Sequence, residues 1–135
     1  MAEKKISYKE VTRFMIFPPS LLLLGSQMET GGAQRVLMDQ ASWFYAQGWQ
    51  VTVAFFYDKE GLHGSWQQQV DFPIINLFAK RPYSTKIGSL FALLGGVRRL
   101  FFLMRRQRFD AVETFTHHSN QIGLPLAWLT GIPIR

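Results

Sequence analysis

The segment LLLLGSQMETGGAQRVL, residues 21–37, decides the fold. Its four consecutive leucines are typical of a strand that is covered on both faces in a parallel sheet, and Gly25 is predicted to end that strand. After a polar loop at residues 26–30, apolar residues recur at helical spacing until Gly48 ends the helix. The predicted core stripe of this helix consists of Ala33, Val36, Leu37, Ala41, Phe44 and Tyr45.

The paired glycines Gly31 and Gly32 stand where this helix begins. The first N–H groups of a helix have no helical partner, and the helix dipole adds partial positive charge there. The position therefore suits a phosphate or another anion, because residues without a β-carbon let a ligand approach the backbone. Gly-Gly pairs are also frequent in ordinary loops. The pattern is therefore compatible with two interpretations, an anion site and a bare tight turn.

The composition indicates one globular domain. A chain of 135 residues with 47% hydrophobic residues is the length of one domain and is too apolar for a disordered segment. Its net charge of +6 favours a polyanionic partner, and its lack of cysteine excludes disulfides and thiolate metal sites. Residues 1–19 are predicted to be a flexible basic lead-in without a secretory signal, and residues 20–135 to be the domain.

Further strands and helices alternate along the rest of the chain. The predicted strands are residues 50–57, 74–77, 111–115 and, at its beginning only, 133–135. The predicted helices are a short one at residues 62–70, a long one from Ile87, and one capped by Ser119 or Asn120 after the polar turn at residues 116–120.

This alternation predicts an α/β fold, a three-layer Rossmann-like sheet that is mostly parallel. In such sheets ligands bind at the carboxyl ends of the strands. Strands one and four are expected to be neighbours, so Gly31-Gly32 and the turn with His117-His118 are expected at the same edge.

The long helix carries an apolar stripe and a basic cluster. Its predicted core stripe consists of Leu90, Leu93, Leu94, Val97, Phe101 and Met104. Gly95 and Gly96 weaken its middle, so a kink or a close contact is expected there. Residues 80–108 contain eight Lys and Arg residues and no acidic one.

Two interpretations of the basic cluster stay open, a solvated helix face and contact with an anionic membrane surface. The membrane hypothesis rests on Arg98, Arg99, Arg105 and Arg106. Residues 87–97 are far fewer than the roughly 20 that cross a bilayer, so this helix is expected to lie on the membrane. No nucleic-acid-binding signature accompanies the charge, and nucleic acid is not predicted as a partner.

The glycine loop matches neither of two common nucleotide-binding patterns. It lacks Gly-x-Gly-x-x-Gly, and no Gly-Lys-Ser/Thr follows as in a P-loop. Asp58 near the end of strand two would mimic a ribose-binding acid, but its spacing from the glycines fits poorly. A nicotinamide or flavin enzyme is therefore not favoured.

The order of several motifs resembles the amino-terminal domain of GT-B glycosyltransferases, specifically glycosyltransferase family 4. The first motifs are LLLLG at residues 21–25, GGAQRVL at 31–37 and GWQVTV at 48–53. Two more resemble the family's fourth strand and the entry to its fifth, FDAV at residues 109–112 and GIPI at 131–134.

The resemblance implies retaining transfer of a sugar from a nucleotide-diphosphate sugar to an acceptor, such as a lipid-linked or cell-envelope glycan, with no cofactor or metal. It implies that Gly31 and Gly32 contact the donor phosphates. Gln34 and Asn120 would lie on the acceptor side, and His118, or alternatively His117, would act at the sugar. The enzyme would be cytoplasmic, or peripheral on the cytoplasmic face of the membrane.

The resemblance covers only the amino-terminal half of the GT-B fold, truncated near its fifth strand, with the donor-binding carboxy-terminal domain missing. Half a cleft does not hold a donor against an acceptor, so the chain alone is expected to be inactive. A non-catalytic remnant or a membrane-surface interaction module is the alternative.

Two departures from the family pattern affect its site. Gln34 stands where the family commonly has glutamate, which keeps hydrogen bonding and loses the charge. Residues 113–115 read Glu-Thr-Phe where many members have His-x-His, and His117 and His118 follow only later.

Overall fold

The computed structural model describes residues 18–80 and 85–134. Its strands are β1 (Ser20–Met28), β2 (Gln50–Asp58), β3 (Ile74–Asn76) and β4 (Ala111–Thr114). Its helices are α1 (Gly32–Ala46), α2 (His63–Gln69), α3 (Lys86–Gln107) and α4 (His117–Leu129). The predicted alternation of strands and helices is confirmed, and most of the predicted lead-in lies outside the described residues.

The strands form one parallel sheet in the order β3-β2-β1-β4. In β1, Leu22 pairs with Thr52 of β2 on one side and with Val112 of β4 on the other. The predicted neighbourhood of strands one and four is therefore confirmed. A parallel bridge from Ala111 to Ile134 lies where the fifth strand was predicted to begin.

The sheet is covered on both faces because alternate leucines of β1 enter different cores. Leu22 and Leu24 belong to a cluster that includes Leu100 of α3 and Ala127 of α4. Leu21, Leu23 and other side chains of the opposite face pack instead against α1. This arrangement confirms the three-layer α/β fold that the uninterrupted leucine run predicted.

Gly25 does not end β1, as the sequence predicted, but lies buried within it. A β-carbon at this position would lie 2.5 Å from Cε1 of Phe55 and 3.0 Å from Cδ1 of Leu37. The residue is thus a packing glycine that makes room for an aromatic ring, and β1 continues to Met28. β3 and β4 each end one residue earlier than predicted.

The predicted stripe of α1 is partly wrong. Leu37 and Ala41 are buried as expected and Phe44 is half-buried. The exposed members are Ala33, Val36 and Tyr45. Gln34 completes the buried face instead, because its side-chain amide finds one acceptor at the end of β1 and another in the loop that follows.

The predicted stripe of α3 is wrong over its first half, where Leu90, Leu93 and Leu94 are exposed. The buried face consists of Ala92, Gly96, Leu100 and Met104. This face is the buried one because it carries small residues where the chain packs closely. A β-carbon at Gly96 would lie 2.4 Å from Cβ of Ala79. The close contact expected at the paired glycines is present, with the segment after β3 as its partner.

By length and composition alone, α3 is apolar enough to cross a membrane. In this fold Leu100 and Met104 place one of its faces in the core beside the sheet. This packing makes α3 an element of the three-layer domain, although only 22% of its apolar window is buried.

Candidate functional site

The first residues of α1 and α4 meet at the carboxyl ends of β1 and β4. The two segments pack together there, with Ala33 and Gln34 of α1 against Phe115 and Thr116 before α4 and no space for a water molecule between them. The structure thus places the glycine loop and the histidine segment at one edge of the sheet, as the topology predicted.

The start of α1 is open to solvent and lacks a side-chain cap. Gly31 precedes the helix in an extended conformation and makes no side-chain capping bond, and no acidic residue lies in the first turn. Gly32 is exposed, and a β-carbon there would meet nothing within 4 Å. This leaves space at the positive end of the helix dipole, a suitable place for an anion.

Gln34 supports the glycine loop from beneath. Its Nε2 donates to the carbonyl of Gln27 and to the carboxylate of Glu29, both at 3.3 Å. Lys59 donates to Glu29 at 2.8 Å, and this hydrogen bond is the main cause of the lowered pKa of Glu29. A β-carbon at Gly31 would lie 2.8 Å from Oε1 of Gln34, so the loop rests directly on this amide.

The two histidines lie in the first turn of α4, and not on the predicted polar turn. Both are exposed, but they have different neighbours. Nε2 of His117 lies 2.9 Å from Nε2 of Gln121, one helical turn later. His118 instead faces a groove between α3 and α4. The two candidate histidines therefore have different surroundings: His117 contacts Gln121, and His118 lines the groove.

Ser119 and Asn120 do not cap α4 as predicted, because the helix begins before them. Ser119 is fully buried, and its hydroxyl donates to the carbonyls of Phe115 and Thr116. Oδ1 of Asn120 accepts a hydrogen bond from Thr114 at the end of β4. Both side chains thus fix the connection between β4 and α4.

Thr116, the residue before α4, has a φ of 83° and a ψ of 157°. A β-branched side chain rarely adopts this conformation, which costs about 1–3 kcal/mol. The hydroxyls of Thr116 and Ser119 lie 3.2 Å apart, and the backbone bonds of Ser119 hold the turn. The strained residue stands beside the two histidines.

The groove beside His118, here called the α3–α4 groove, has a volume of about 700 Å³. Polar groups from the ends of β1 and β2 line it, among them Ser26, Gln27 and Tyr57. The hydroxyl of Tyr57 donates to Oε1 of Gln27, and Nζ of Lys80 lies 5.2 Å from the centroid of the Tyr57 ring. Sequence reasoning missed Gln27 and Tyr57, although both stand where strands end at this edge.

Glu113 stands where the resemblance predicts the first histidine of His-x-His. Its side chain faces α1, where Gln40, with its amide nitrogen turned toward the carboxylate, donates at 3.0 and 3.2 Å. Burial raises the pKa of Glu113. Within residues 18–80 and 85–134, no group of three or more His, Asp or Glu side chains is arranged to hold a metal ion.

The four arginines of the membrane hypothesis do not share one face. Arg98 and Arg105 lie on one line along α3, and Arg99 and Arg106 on another, about 100° away. Arg99 is also committed to the fold, because its Nη1 donates to the carbonyl of Leu77 at 2.7 Å.

The sequence matches the family model described as "Glycosyl transferase 4-like domain" over residues 31–135. The chain belongs to this family. The matched residues begin at Gly31. They include the starts of α1 and α4 and every residue that lines the α3–α4 groove except Ser26 and Gln27 of β1. No curated protein matches the chain significantly.

The solved structures that resemble this glycosyl transferase 4-like domain include MurG and a hydrogenase domain. MurG from Acinetobacter baumannii superposes with a TM-score of 0.68 and 21% identity, over 87% of this chain and 34% of that chain. The C-terminal domain of PF1911 hydrogenase from Pyrococcus furiosus gives a TM-score of 0.57 and 17% identity, over 87% and 89% of the two chains. At these identities the likeness concerns the fold.

The family match and the likeness to MurG together confirm an amino-terminal GT-B domain. The chain spans about a third of the MurG chain, 34% of its length. It is therefore a glycosyltransferase-family domain whose fold corresponds to one part of a larger enzyme.

Proposed function

We propose that this domain is the acceptor-side half of a retaining glycosyltransferase, which transfers a sugar from a nucleotide-diphosphate sugar to a glycan acceptor. The observation that carries the proposal is the open, uncapped start of α1 at Gly31 and Gly32, which lies at the same carboxyl edge of the sheet as the α3–α4 groove. The family match supports the reaction class.

The donor diphosphate would meet the backbone at Gly31 and Gly32. No side chain caps this helix start and no residue of its first turn is acidic, while Glu29 and Glu60 are bound to the loop that precedes it. A phosphate there gains about 0.3–1 kcal/mol from the helix dipole, and up to about 2 kcal/mol when partly buried. Gln34 holds the loop in place from below, which keeps the amides in a fixed position.

The acceptor would occupy the α3–α4 groove. His118 lines it, and a neutral imidazole nitrogen accepts a hydrogen bond from a sugar hydroxyl. His117 is engaged with Gln121, which makes His118 the better candidate for sugar contact. Asn120, held by Thr114, stands on the same first turn of α4 and would border the acceptor.

Turnover requires a second domain. Catalysis depends on holding the donor against the acceptor in a closed site, and the described residues form one wall of such a cleft. The isolated chain is therefore expected to bind nucleotide weakly and to release no sugar.

The enzyme would work in the cytoplasm, at an anionic membrane surface. The net charge of +6 and the exposed Arg98 and Arg105 support this placement. Arg99, bound to the Leu77 carbonyl, would contribute less.

The proposal is tested by titrating the chain with uridine diphosphate and guanosine diphosphate in a calorimeter. Gly32→Asp places a carboxylate where the diphosphate would bind, in open space at a helix start that tolerates acids. We expect at least about a fivefold weaker affinity for the nucleotide that binds, because like charges repel at this range.

Gln47→Glu is the matched control for this titration. It adds the same charge at an exposed position just after α1, about 22 Å from Gly32 along the helix. Its affinity should stay within about twofold of the wild type, since the new charge lies about two Debye lengths from the α1 start. Equal loss in both variants, or no binding of either nucleotide by the wild type, would contradict the donor site.

A further inference from the structure

A second groove, here called the β3–α3 groove, runs between α3 and the edge strand β3. Its volume is about 720 Å³. Its described lining residues are distinct from those of the α3–α4 groove and of the α1 start, so it is separate from the proposed transferase site. The residues that carry the inference are Ile75 and Leu77 on the strand side and Arg98, Arg99, Phe102 and Arg106 on the helix.

Three arginines line this groove without a negative partner. Arg98, Arg99 and Arg106 are all exposed, and within the described part of the chain none of them forms an ion pair with a carboxylate. Residues 80–108 contain no acidic residue at all. The charge of the three guanidinium groups is therefore available to an anionic partner.

Two of these arginines are held in place by neighbouring groups. Nη1 of Arg99 donates to the carbonyl of Leu77 at 2.7 Å, and its guanidinium lies 5.7 Å from the centroid of the Phe78 ring. The guanidinium of Arg98 lies 5.5 Å from the centroid of the Phe102 ring. Such contacts restrict a long side chain before a ligand arrives, so less conformational entropy is lost on binding.

The floor between the arginines is apolar. Leu77 is buried, Ile75 and Leu103 are half-buried, and Phe102 is 42% exposed. A purely polar anion such as free phosphate would leave this floor in contact with water. The groove therefore fits a ligand that carries both acidic and apolar groups.

The outer edge of β3 is occupied at Ile74, beside the groove. The backbone N–H of Ile74 donates to Oε1 of Gln67 at 2.7 Å, and its carbonyl oxygen lies 2.5 Å from Nε2 of His63. Both contacts come from α2 and cover groups that an added strand would need. A partner at this place is therefore recognised through side chains and not by strand addition.

The spacing of the arginines matches an extended peptide. Arg99 and Arg106 are seven residues apart, which is about 10.5 Å along the axis of α3. In a polyproline II segment, residues three apart lie on one side of the chain about 9 Å from each other. Two carboxylates at this spacing would reach both arginines, with an apolar side chain between them.

We propose that the β3–α3 groove docks an acidic, partly apolar segment of a partner protein. The carboxylates of this segment pair with Arg98, Arg99 and Arg106 through charge-assisted hydrogen bonds. An apolar side chain of the segment packs on Phe102 and Leu103. Because the groove is separate from the proposed transferase site, this inference does not depend on the reaction proposed there.

Fluorescence anisotropy with a fluorescein-labelled peptide of three Glu-Glu-Phe repeats tests the chemistry of the groove. The period of three places the phenylalanines on one side of an extended segment. We expect the wild-type chain to bind this peptide at least about tenfold more tightly than Gln-Gln-Phe repeats, which lack the charge. It should also bind at least about threefold more tightly than Glu-Glu-Ser repeats, which lack the apolar group.

No binding of the Glu-Glu-Phe peptide by the wild type would overturn the proposal. Equal affinity for the Gln-Gln-Phe peptide would overturn an acidic partner, and equal affinity for the Glu-Glu-Ser peptide would overturn the role of the apolar floor.

Arg106→Gln and Arg105→Gln are the matched variants that locate the binding. Both residues are exposed in the last turn of α3, and each substitution removes one charge. Arg106 lines the groove, whereas Arg105 lies about 100° away around the helix and lines a separate cavity beside Thr130.

We expect Arg106→Gln to weaken binding of the Glu-Glu-Phe peptide at least about fivefold and Arg105→Gln to change it by less than about twofold. Equal losses in the two variants would show that net charge attracts the peptide and would overturn the groove as its site.

Flotation with vesicles of phosphatidylcholine containing about 20 mol% phosphatidylglycerol distinguishes a protein partner from an anionic lipid surface. The two variants should float alike, because a flat layer of headgroups does not enter the groove. A loss of flotation confined to Arg106→Gln would assign the groove to lipid headgroups and overturn the protein partner.

Discussion

Glycines along this chain serve two different purposes at the scale of single residues. Gly25 and Gly123 are buried against neighbours, because a β-carbon at either would lie 2.5 Å from another side chain. Gly32, in contrast, faces open space. In the sequence all three glycines look alike. Whether a glycine is buried or open depends on contacts with residues far away in the chain, which residue spacing does not specify.

Gly25→Ala and Gly32→Ala form a matched pair that tests this distinction. The first places a methyl group against Phe55 and Leu37 and is expected to lower the free energy of unfolding by about 1–3 kcal/mol. The second adds a helix-favouring residue in open space and is expected to raise it by up to about 1 kcal/mol. Urea unfolding measures both, and equal effects would show that β1 is packed differently.

Glu113 predicts a pH dependence of stability. Burial raises its pKa, so the folded state keeps this proton at pH values where the unfolded state has released it. The stability cost is absent below the unfolded-state pKa and complete above the raised folded-state pKa, so it grows as pH rises. Glu113→Gln carries no titrating proton and avoids this cost.

The expected result is that Glu113→Gln gains stability relative to the wild type between about pH 4 and about pH 7. Urea unfolding of both proteins across this range measures the difference. A difference that stays constant with pH, or that favours the wild type at the higher pH, would show that the bond from Gln40 outweighs burial.

At the scale of elements, α3 shows where sequence patterns become ambiguous. The helix offers two stripes at helical spacing, one rich in leucine and one built from Ala92, Gly96, Leu100 and Met104. A helix that is apolar on several sides does not reveal its core face through periodicity. The close approach of Ala79 decides between them, because only small residues fit there.

The adjacent glycines of α3 are expected to respond in opposite directions. Gly95→Ala meets only the Arg99 side chain, at the ordinary van der Waals distance of 3.6 Å, and should raise the free energy of unfolding by up to about 1 kcal/mol. Gly96→Ala would bring a β-carbon within 2.8 Å of the Ala79 backbone and should lower it by about 1–3 kcal/mol.

Thermal or urea unfolding of the two single variants measures this contrast within one helix. Both substitutions have the same intrinsic effect on helix propensity, so the difference between them isolates the packing of α3 on the segment after β3. Stabilisation by both would indicate that α3 presents another face to the sheet.

At the scale of the whole molecule, the position of the site was more predictable than its contacts. The alternation of strands and helices predicts a parallel sheet, and a Rossmann-like strand order makes strands one and four neighbours, which brings Gly31 and His118 to one edge. The partners of individual side chains were not predictable, among them Gln34 beneath the loop and Tyr57 beside Gln27. They depend on loop conformations that no local pattern specifies.

The last prediction at this scale concerns nucleotide binding and turnover by the isolated domain. It covers 34% of the MurG chain that it resembles, and its open edge forms one side of a cleft. We expect nucleotide binding without turnover, since a donor fixed on one side is not held against an acceptor. Release of nucleoside diphosphate from a nucleotide sugar by the chain alone, at rates above spontaneous hydrolysis, would contradict this expectation.

The central claim is that the diphosphate meets the carboxyl edge of the sheet at the start of α1. Amide chemical shifts of the ¹⁵N-labelled chain during titration with uridine diphosphate and guanosine diphosphate test it most directly. The largest shifts are expected at residues 31–33, with smaller ones at 116–118. Largest shifts at Gly48 and Gly131, on the opposite edge of the sheet, would contradict it.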